Sequence, residues 1–270
     1  MRFPVAAALG LTALVPLMVF PVEGQSRRPA SPPPARGRAV PRAEAAAPFK
    51  VGETLTYDVS WSSILVAGTA IVSVKEKKTS FNSTAHYIVA EGRPLPLVAR
   101  LYSLYYKMDA LLDSYTLLSQ RGSLYAEEGN DRRTATTRFD RPARRVFFED
   151  QSDTTTKLDY VAPPETQDGL STLYALRTKT FRAGDHVTIP VADSGSLYNL
   201  QLTVGGPERV KVPAGDTTAW SLKGFITDTG GQPVWNNIAV WISNDARRLP
   251  VKMQADLPVG SFVLALREVR

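Results

Sequence analysis

The sequence predicts a mainly β protein, a single domain of many antiparallel strands forming a curved sheet, half-barrel or barrel, with one or two short helices. Three observations carry this expectation. From Phe49 onward, apolar and polar residues alternate with a period of two. Turn-forming clusters of Gly, Pro, Asp and Asn separate the alternating runs. One stretch with helical spacing follows Pro163-Pro164 and interrupts the series.

The alternation is clearest at Leu55, Tyr57, Val59 and Trp61, which fall on one face of a strand, with Thr54, Thr56, Asp58 and Ser60 on the other. Ala70–Val74 and His86–Ala90 continue the pattern. Leu97, Leu101, Leu104 and Met108 also fit a helical stripe, so a short helix at Leu97–Tyr102 is expected to run into a strand at Leu104–Leu112. Further strands are expected at Arg121–Glu127, Arg133–Phe139, Arg144–Glu149 and Thr155–Tyr160. The clear helix lies after Asp168, an N-cap candidate, with Leu170, Leu173, Tyr174 and Arg177 along its repeat. The second half reads as strands at Val187–Val191, Leu197–Val204, Glu208–Val212, Thr217–Phe225, Val234–Ser243, Val251–Ala255 and Phe262–Val269. Asp193-Ser194-Gly195, Gly205-Gly206-Pro207, Pro213-Ala214-Gly215-Asp216, Gly230-Gly231-Gln232-Pro233 and Leu257-Pro258-Val259-Gly260 read as the turns between them. A sheet of this many strands must curl or close, giving a barrel, a half-barrel around a helix, or a sandwich.

The N-terminus carries an address. Arg2 precedes the apolar stretch Val5–Phe20, and Val22-Glu23-Gly24 offers small residues for cleavage. Residues 1–24 are therefore read as a cleaved signal peptide, with an uncleaved membrane anchor as the alternative. Pro16 shortens the run below a comfortable span. Residues 25–47 are rich in Pro, Arg and Ala and read as a disordered linker, or alternatively as a basic tether to an anionic surface. Residues 48–270 form the β-rich domain. Six Arg against Glu23 and Glu44 place +4 of the net +6 in residues 1–47, so residues 48–270 carry only +2. A near-neutral domain argues against nucleic acid as a partner. The chain has no Cys, which excludes disulfides, thiolate metal sites, a catalytic thiol and a lipoprotein anchor.

Four segments occur together in a familiar order: Phe49–Tyr57 with Trp61 and Ala67-Gly68; Asp168–Arg177; Val212-Pro213-Ala214-Gly215; and Val240–Val251, which contains Trp241-Ile242-Ser243-Asn244-Asp245. With these segments the chain resembles the secreted bacterial family called domain of unknown function 3108, over nearly all of residues 49–270. The resemblance implies an exported, mostly antiparallel β protein of a bacterial envelope. It brings no catalytic residue, cofactor or substrate. Each segment also has a structural reading, as turn, strand end or helix cap.

Catalytic motifs are missing. No Gly-x-Ser-x-Gly elbow is present, and Gly195-Ser196 lacks a following helix. Asp185 and His186 are adjacent on a strand and point to opposite faces, so they make no dyad there. His86 reads as a packed histidine. Glu127-Glu128, Glu149-Asp150 and Asp153 fall at strand ends, where solvated charge is the default. No calcium loop, His-Glu-x-x-His or phosphate loop occurs, so no cofactor or metal is expected. The sequon Asn82-Ser83-Thr84 is incidental in a bacterial host.

The polar candidates are Asp168, Ser171, Arg177, Asp245, Arg247 and Arg248, read as an ion-pair cluster linking helix to sheet, or as the lining of a cavity mouth. Trp61, Tyr105 and Trp241 are candidates for an apolar pocket, with plain core as the alternative. The expected function is non-enzymatic: a periplasmic or secreted protein that binds a lipid or other apolar molecule or an envelope partner, with no transmembrane helix after cleavage. A structural role in envelope assembly is the first alternative and an uncharacterised hydrolase the second.

Overall fold

A computed structural model describes residues 43–61, 65–100, 104–152, 154–257 and 260–270. The expected signal peptide, most of the expected linker, part of the expected Leu97–Tyr102 helix, Asp153 and part of the expected Leu257–Gly260 turn lie outside the described residues. Residues 44–47, which composition places in the linker, already touch the β domain. Lys77 contacts Glu44, the Ala45 amide donates to the Ser114 carbonyl, and Ala47 packs on the core.

Two meanders make up one antiparallel sheet of 14 strands. The first comprises β1 (Thr54–Trp61), β2 (Leu65–Ser80), β3 (Ser83–Pro94), β4 (Leu104–Asp113), β5 (Ser119–Glu128), β6 (Asp131–Asp140), β7 (Arg145–Gln151) and β8 (Thr155–Val161). The second comprises β9 (His186–Asp193), β10 (Ser196–Val212), β11 (Gly215–Asp228), β12 (Pro233–Ser243), β13 (Pro250–Leu257) and β14 (Gly260–Val269). A single new pairing joins them: β1 lies against β14, with Val59 opposite Leu264 and Trp61 opposite Phe262. The edges of the sheet are therefore β8 and β9. Helix α1 (Pro96–Ala99) is one turn long among the described residues, starting one residue before the sequence expectation. Helix α2 (Gly169–Arg177) joins the two meanders.

Two-residue hairpins at Phe81-Asn82 and Ser194-Gly195 have both central residues left-handed, the twist that suits adjacent antiparallel strands. The expected turn at Gly205-Gly206-Pro207 is not a turn. Leu197–Val204 and Glu208–Val212 are one strand, β10, with a register shift between Val204 and Pro207. A Cβ on Gly205 would stand 2.3 Å from the Ser221 hydroxyl, so the bulge needs the missing side chain. Further register shifts in β1–β2, β2–β3 and β4–β5 bend the sheet on itself. This curvature produces a barrel-like form, not a sandwich, and hydrogen bonds do not close it. Side chains fill the seam instead: Phe139, Val146 and Ala162 with Ala192, flanked by Tyr160 and Leu197. Gln167 pairs with Val191, which ties the chain after β8 to the edge of β9.

Helix α2 is the plug. Seven of its residues, Leu170, Ser171, Thr172, Tyr174, Ala175, Leu176 and Arg177, are buried, so the helix meets protein on nearly every side. Asp168 caps it, accepting from the Ser171 amide at 2.9 Å and the Ser171 hydroxyl at 2.5 Å. The cap sits tight on β5: a Cβ on Gly122 would lie 2.8 Å from the Asp168 Cβ. At the other end the Arg177 side chain is fully buried. Its fork grips Glu53 through two bonds, Nη1 to Oε1 at 2.6 Å and Nη2 to Oε2 at 2.8 Å. Nε donates to the Arg248 carbonyl and Nη2 to the Arg247 carbonyl, both at 3.0 Å. Phe49 and Tyr174 stack under the guanidinium at 5.3 and 5.1 Å.

Removing one partner of a buried pair strands the other charge, which costs roughly 3–5 kcal/mol. Glu53→Gln and Arg177→Met should each lower the unfolding free energy by about that amount. The double variant R177M/E53L should recover much of the loss. Urea unfolding monitored by circular dichroism measures both; a loss below about 1 kcal/mol in the single variants would show the pair to be dispensable.

Candidate functional site

The inward face of the sheet changes character along its length. At the end plugged by α2, Leu55, Tyr57, Val72, Val74, Ile88, Ala110 and Leu112 are buried in one cluster with Leu170, Tyr174 and Phe49. The other wall contributes Leu200, Leu202, Val204, Leu222, Val240 and Ile242, packed with Leu176 and Phe181. Toward the opposite end the same face stays apolar but is only half-buried. Register carries Val240 across to Met253, Leu264 and Val59. The adjoining row runs from Leu266 through Tyr57, Ala70 and Gly92 to Tyr106. Val59, Tyr106, Met253, Phe262 and Leu264 are all half-buried, and Trp61 at the rim is 51% exposed. Among the described residues these side chains form a half-buried apolar patch on the concave face, here called the cup, continuous with the helix-packed core.

The plugged end is polar. Gln167 accepts from the Ser119 amide and hydroxyl and donates to the Leu117 carbonyl. Arg141 donates to the Ser119 and Pro164 carbonyls. Burial pulls its guanidinium down to about 10, against the pull of the Asp168 and Asp113 carboxylates. Burial also raises the Asp168 carboxyl above the usual range, despite its bonds to Ser171 and Ser119. Asp113 shows the opposite balance. Burial opposes its ionisation, but bonds from the Ser83 hydroxyl and the Thr116 and Tyr115 amides outweigh burial and hold it low. An open depression of about 410 Å³ lies here, between Phe81, Asp113, Gln120, Phe139 and Arg141. Beside the helix cap only about 30 Å³ is free, near Met108, Gly122 and Asp168, roughly the room of one or two waters.

The six polar candidates divide between three places. Asp168 and Ser171 form the N-cap of α2. Arg177 lies at its other end, and its carboxylate partner is Glu53, not Asp245. Asp245 accepts from the Ser243 hydroxyl and the Arg247 and Arg248 amides, which shapes the β12–β13 turn. Arg247 and Arg248 reach Arg177 through their carbonyls. The Arg247 side chain is exposed, and that of Arg248 donates to the Lys179 carbonyl and stacks on Phe181. The three aromatic candidates are also apart. Trp61 stands at the rim of the cup. Tyr105 is on the convex face, edge-on to Tyr125 and under Arg93. Trp241 is plain core, 8% exposed in the apolar cluster that includes Val210, Val212, Ala219 and Ala239; it donates to Glu208 and is flanked by Lys223 and Lys252. Sequence reading missed Glu53, Met253 and Leu264. The alternation around Leu264 was visible; its half-exposure was not.

Other chemistry-bearing residues have structural partners. His186 is exposed beside the Thr203 hydroxyl. His86 is buried edge-on to Phe49, and burial lowers its basicity. Glu149 pairs with Lys157, and Asp150 with Arg133. Among the described residues, no group of three or more His, Asp or Glu is placed to hold a metal ion. No helix among them is long and apolar enough to cross a membrane.

A meander curled around a plugging helix, with a cup at one end, defines a β-barrel-like protein. The chain belongs to the family described as Protein of unknown function (DUF3108), whose model matches residues 56–267. No curated protein matches it. Among solved structures it is similar to a β-barrel-like protein of domain of unknown function DUF1849 from Brucella abortus, at 11% identity and a TM-score of 0.52. That match covers 80% of this chain and 96% of the other, and shows a shared fold. A weaker likeness, with a TM-score of 0.34 and 10% identity, is to a Bacteroides fragilis protein described as exported, with a YmcC-like fold. It covers 84% of this chain and 100% of that one. A Parabacteroides distasonis protein described as a lipoprotein is similar at 9% identity and a TM-score of 0.35, over 84% of this chain and 100% of the other.

Asp113 gives this end of the barrel a pH dependence. Its folded value lies below the ordinary 3.8, so the carboxylate adds stability above that pH and loses it as pH falls through the folded value. Asp113→Asn should therefore destabilise at pH 7 and matter progressively less in more acid solution. Urea midpoints for both forms at neutral and strongly acid pH test this; a penalty independent of pH would contradict the assignment.

Proposed function

We propose that the protein is exported to the bacterial cell envelope, is cleaved after Gly24, and binds an apolar molecule in the open end of its barrel without transforming it. The observation that carries this reading is the half-exposure of Val59, Trp61, Tyr106, Met253, Phe262 and Leu264 on the concave face. Leaving such side chains wet forgoes roughly 25 cal/mol for each Å² of apolar surface, which a ligand of acyl-chain character would regain. Export is supported by Arg2, the apolar run Val5–Phe20 and the small residues before position 25. A binding role is favoured over catalysis because Asp113, Asp168, Arg177 and Asp245 are committed to turns, a helix cap and a buried ion pair.

Native mass spectrometry of protein purified from a bacterial periplasm, followed by organic extraction, should reveal a lipid-sized adduct. A fluorescent fatty-acid probe should bind the delipidated protein, and Trp61→Phe should remove part of the accompanying change in tryptophan emission. Leu264→Lys should weaken the probe by roughly tenfold or more, because its ammonium would lose water inside the cup. Absence of both an adduct and probe binding would overturn the reading.

A further inference from the structure

Among the described residues no backbone pairs with the outer edge of β8, although its Leu158 lies against Gly195 and the Tyr160 hydroxyl donates to the Ser196 carbonyl. Gln167 meets β9, its amide donating to the Pro190 carbonyl and its carbonyl accepting from Ala192. β8 pairs with β7 alone, without a bulge, and every residue of it except Tyr160 is exposed. Leu158 is 43% exposed and Val161 66%. An uninterrupted edge with exposed apolar side chains is a template for another strand.

The phase of this edge can be read directly. The Ala162 amide donates to the Arg144 carbonyl at 3.0 Å. Antiparallel alternation then directs the backbone groups of Thr156, Leu158 and Tyr160 at β7, and those of Thr155, Lys157, Asp159 and Val161 outward. Two copies of this edge can pair antiparallel in registers centred on Lys157, Leu158 or Asp159. The first sets Lys157 against itself and the third sets Asp159 against itself. The register centred on Leu158 places Lys157 opposite Asp159 of the second copy, twice, and Thr155 opposite Val161. Directly opposed charges of unlike sign stabilise a sheet, and like charges destabilise it.

The neighbouring strand continues this pattern. Glu149 lies 3.4 Å from Lys157, and Arg145 lies 2.7 Å from Asp159. Across the symmetric junction the charges alternate: Glu149, Lys157, then Asp159 and Arg145 of the second copy. We infer that the protein forms a two-fold symmetric dimer through β8, centred on Leu158, which joins two sheets edge to edge. The interface is self-complementary, as two-fold symmetry requires. It lies on a different strand from the residues of the cup, so it stands or falls independently of ligand binding.

Sedimentation velocity of the purified protein over a concentration series tests the dimer. Wild-type protein should shift from monomer to dimer, and amide exchange of Thr155–Val161 should slow as concentration rises. K157D and D159K should each weaken the dimer by roughly tenfold or more while leaving the far-ultraviolet circular dichroism spectrum unchanged, since both side chains are exposed. An equimolar mixture of the two variants should restore association, because each then supplies the charges that the other lacks. A wild-type protein that remains monomeric up to about 1 mM would overturn the inference. So would a dimer that both variants leave intact, or a mixture that fails to associate.

Discussion

The fold depends on the fork of Arg177 on Glu53. These residues lie 124 positions apart, one at the C-terminal end of α2 and the other just before β1. The same guanidinium binds carbonyls of the β12–β13 turn and stacks on Phe49. One side chain thus ties together the helix, the entry to the first meander and a turn of the second. A fully buried cation is costly unless every donor is met in the right geometry, so the arrangement tolerates little displacement of any of the three. Its charge also suits the negative end of the helix that carries it.

With α2 held there, packing is concentrated at one end of the barrel. Asp168 fixes the helix start against β5, and Gln167 and Arg141 bind the adjoining loop to Ser119. Apolar residues of both meanders converge on the helix. The helix spans only part of the strand length, and toward the far end Met253 and Leu264 pack on the core while staying half-buried. A packed floor and a half-buried rim follow from one geometric fact: nine helical residues inside strands that are in several cases longer and fully extended.

Much of this architecture was legible in the sequence, because alternation and turn chemistry are local. The strands, the α2 helix and its Asp168 cap could be read from neighbouring residues. Gly205-Gly206-Pro207 misled because a bulge and a turn use the same residues, and only the pairing with β11 distinguishes them. The pairing of Arg177 with Glu53 was beyond reach, since nothing local to either residue names the other. Among the aromatics, Trp61 belonged to the cup, while Tyr105 is on the convex face and Trp241 is plain core. Which side of a strand faces the helix is settled by the closure of the sheet, a property of the whole chain.

The junction of β1 with β14 sets the order in which the chain can fold. Leu55 lies opposite Val269, so the first strand obtains its second neighbour from the last residues of the sequence. During synthesis β1 stands unpaired on that side until β14 has been made. Contacts this distant along the chain make folding slow and leave a sticky edge exposed in the meantime. A chain shortened by its final strand would lose the connection between its two meanders as well as ten residues of sheet.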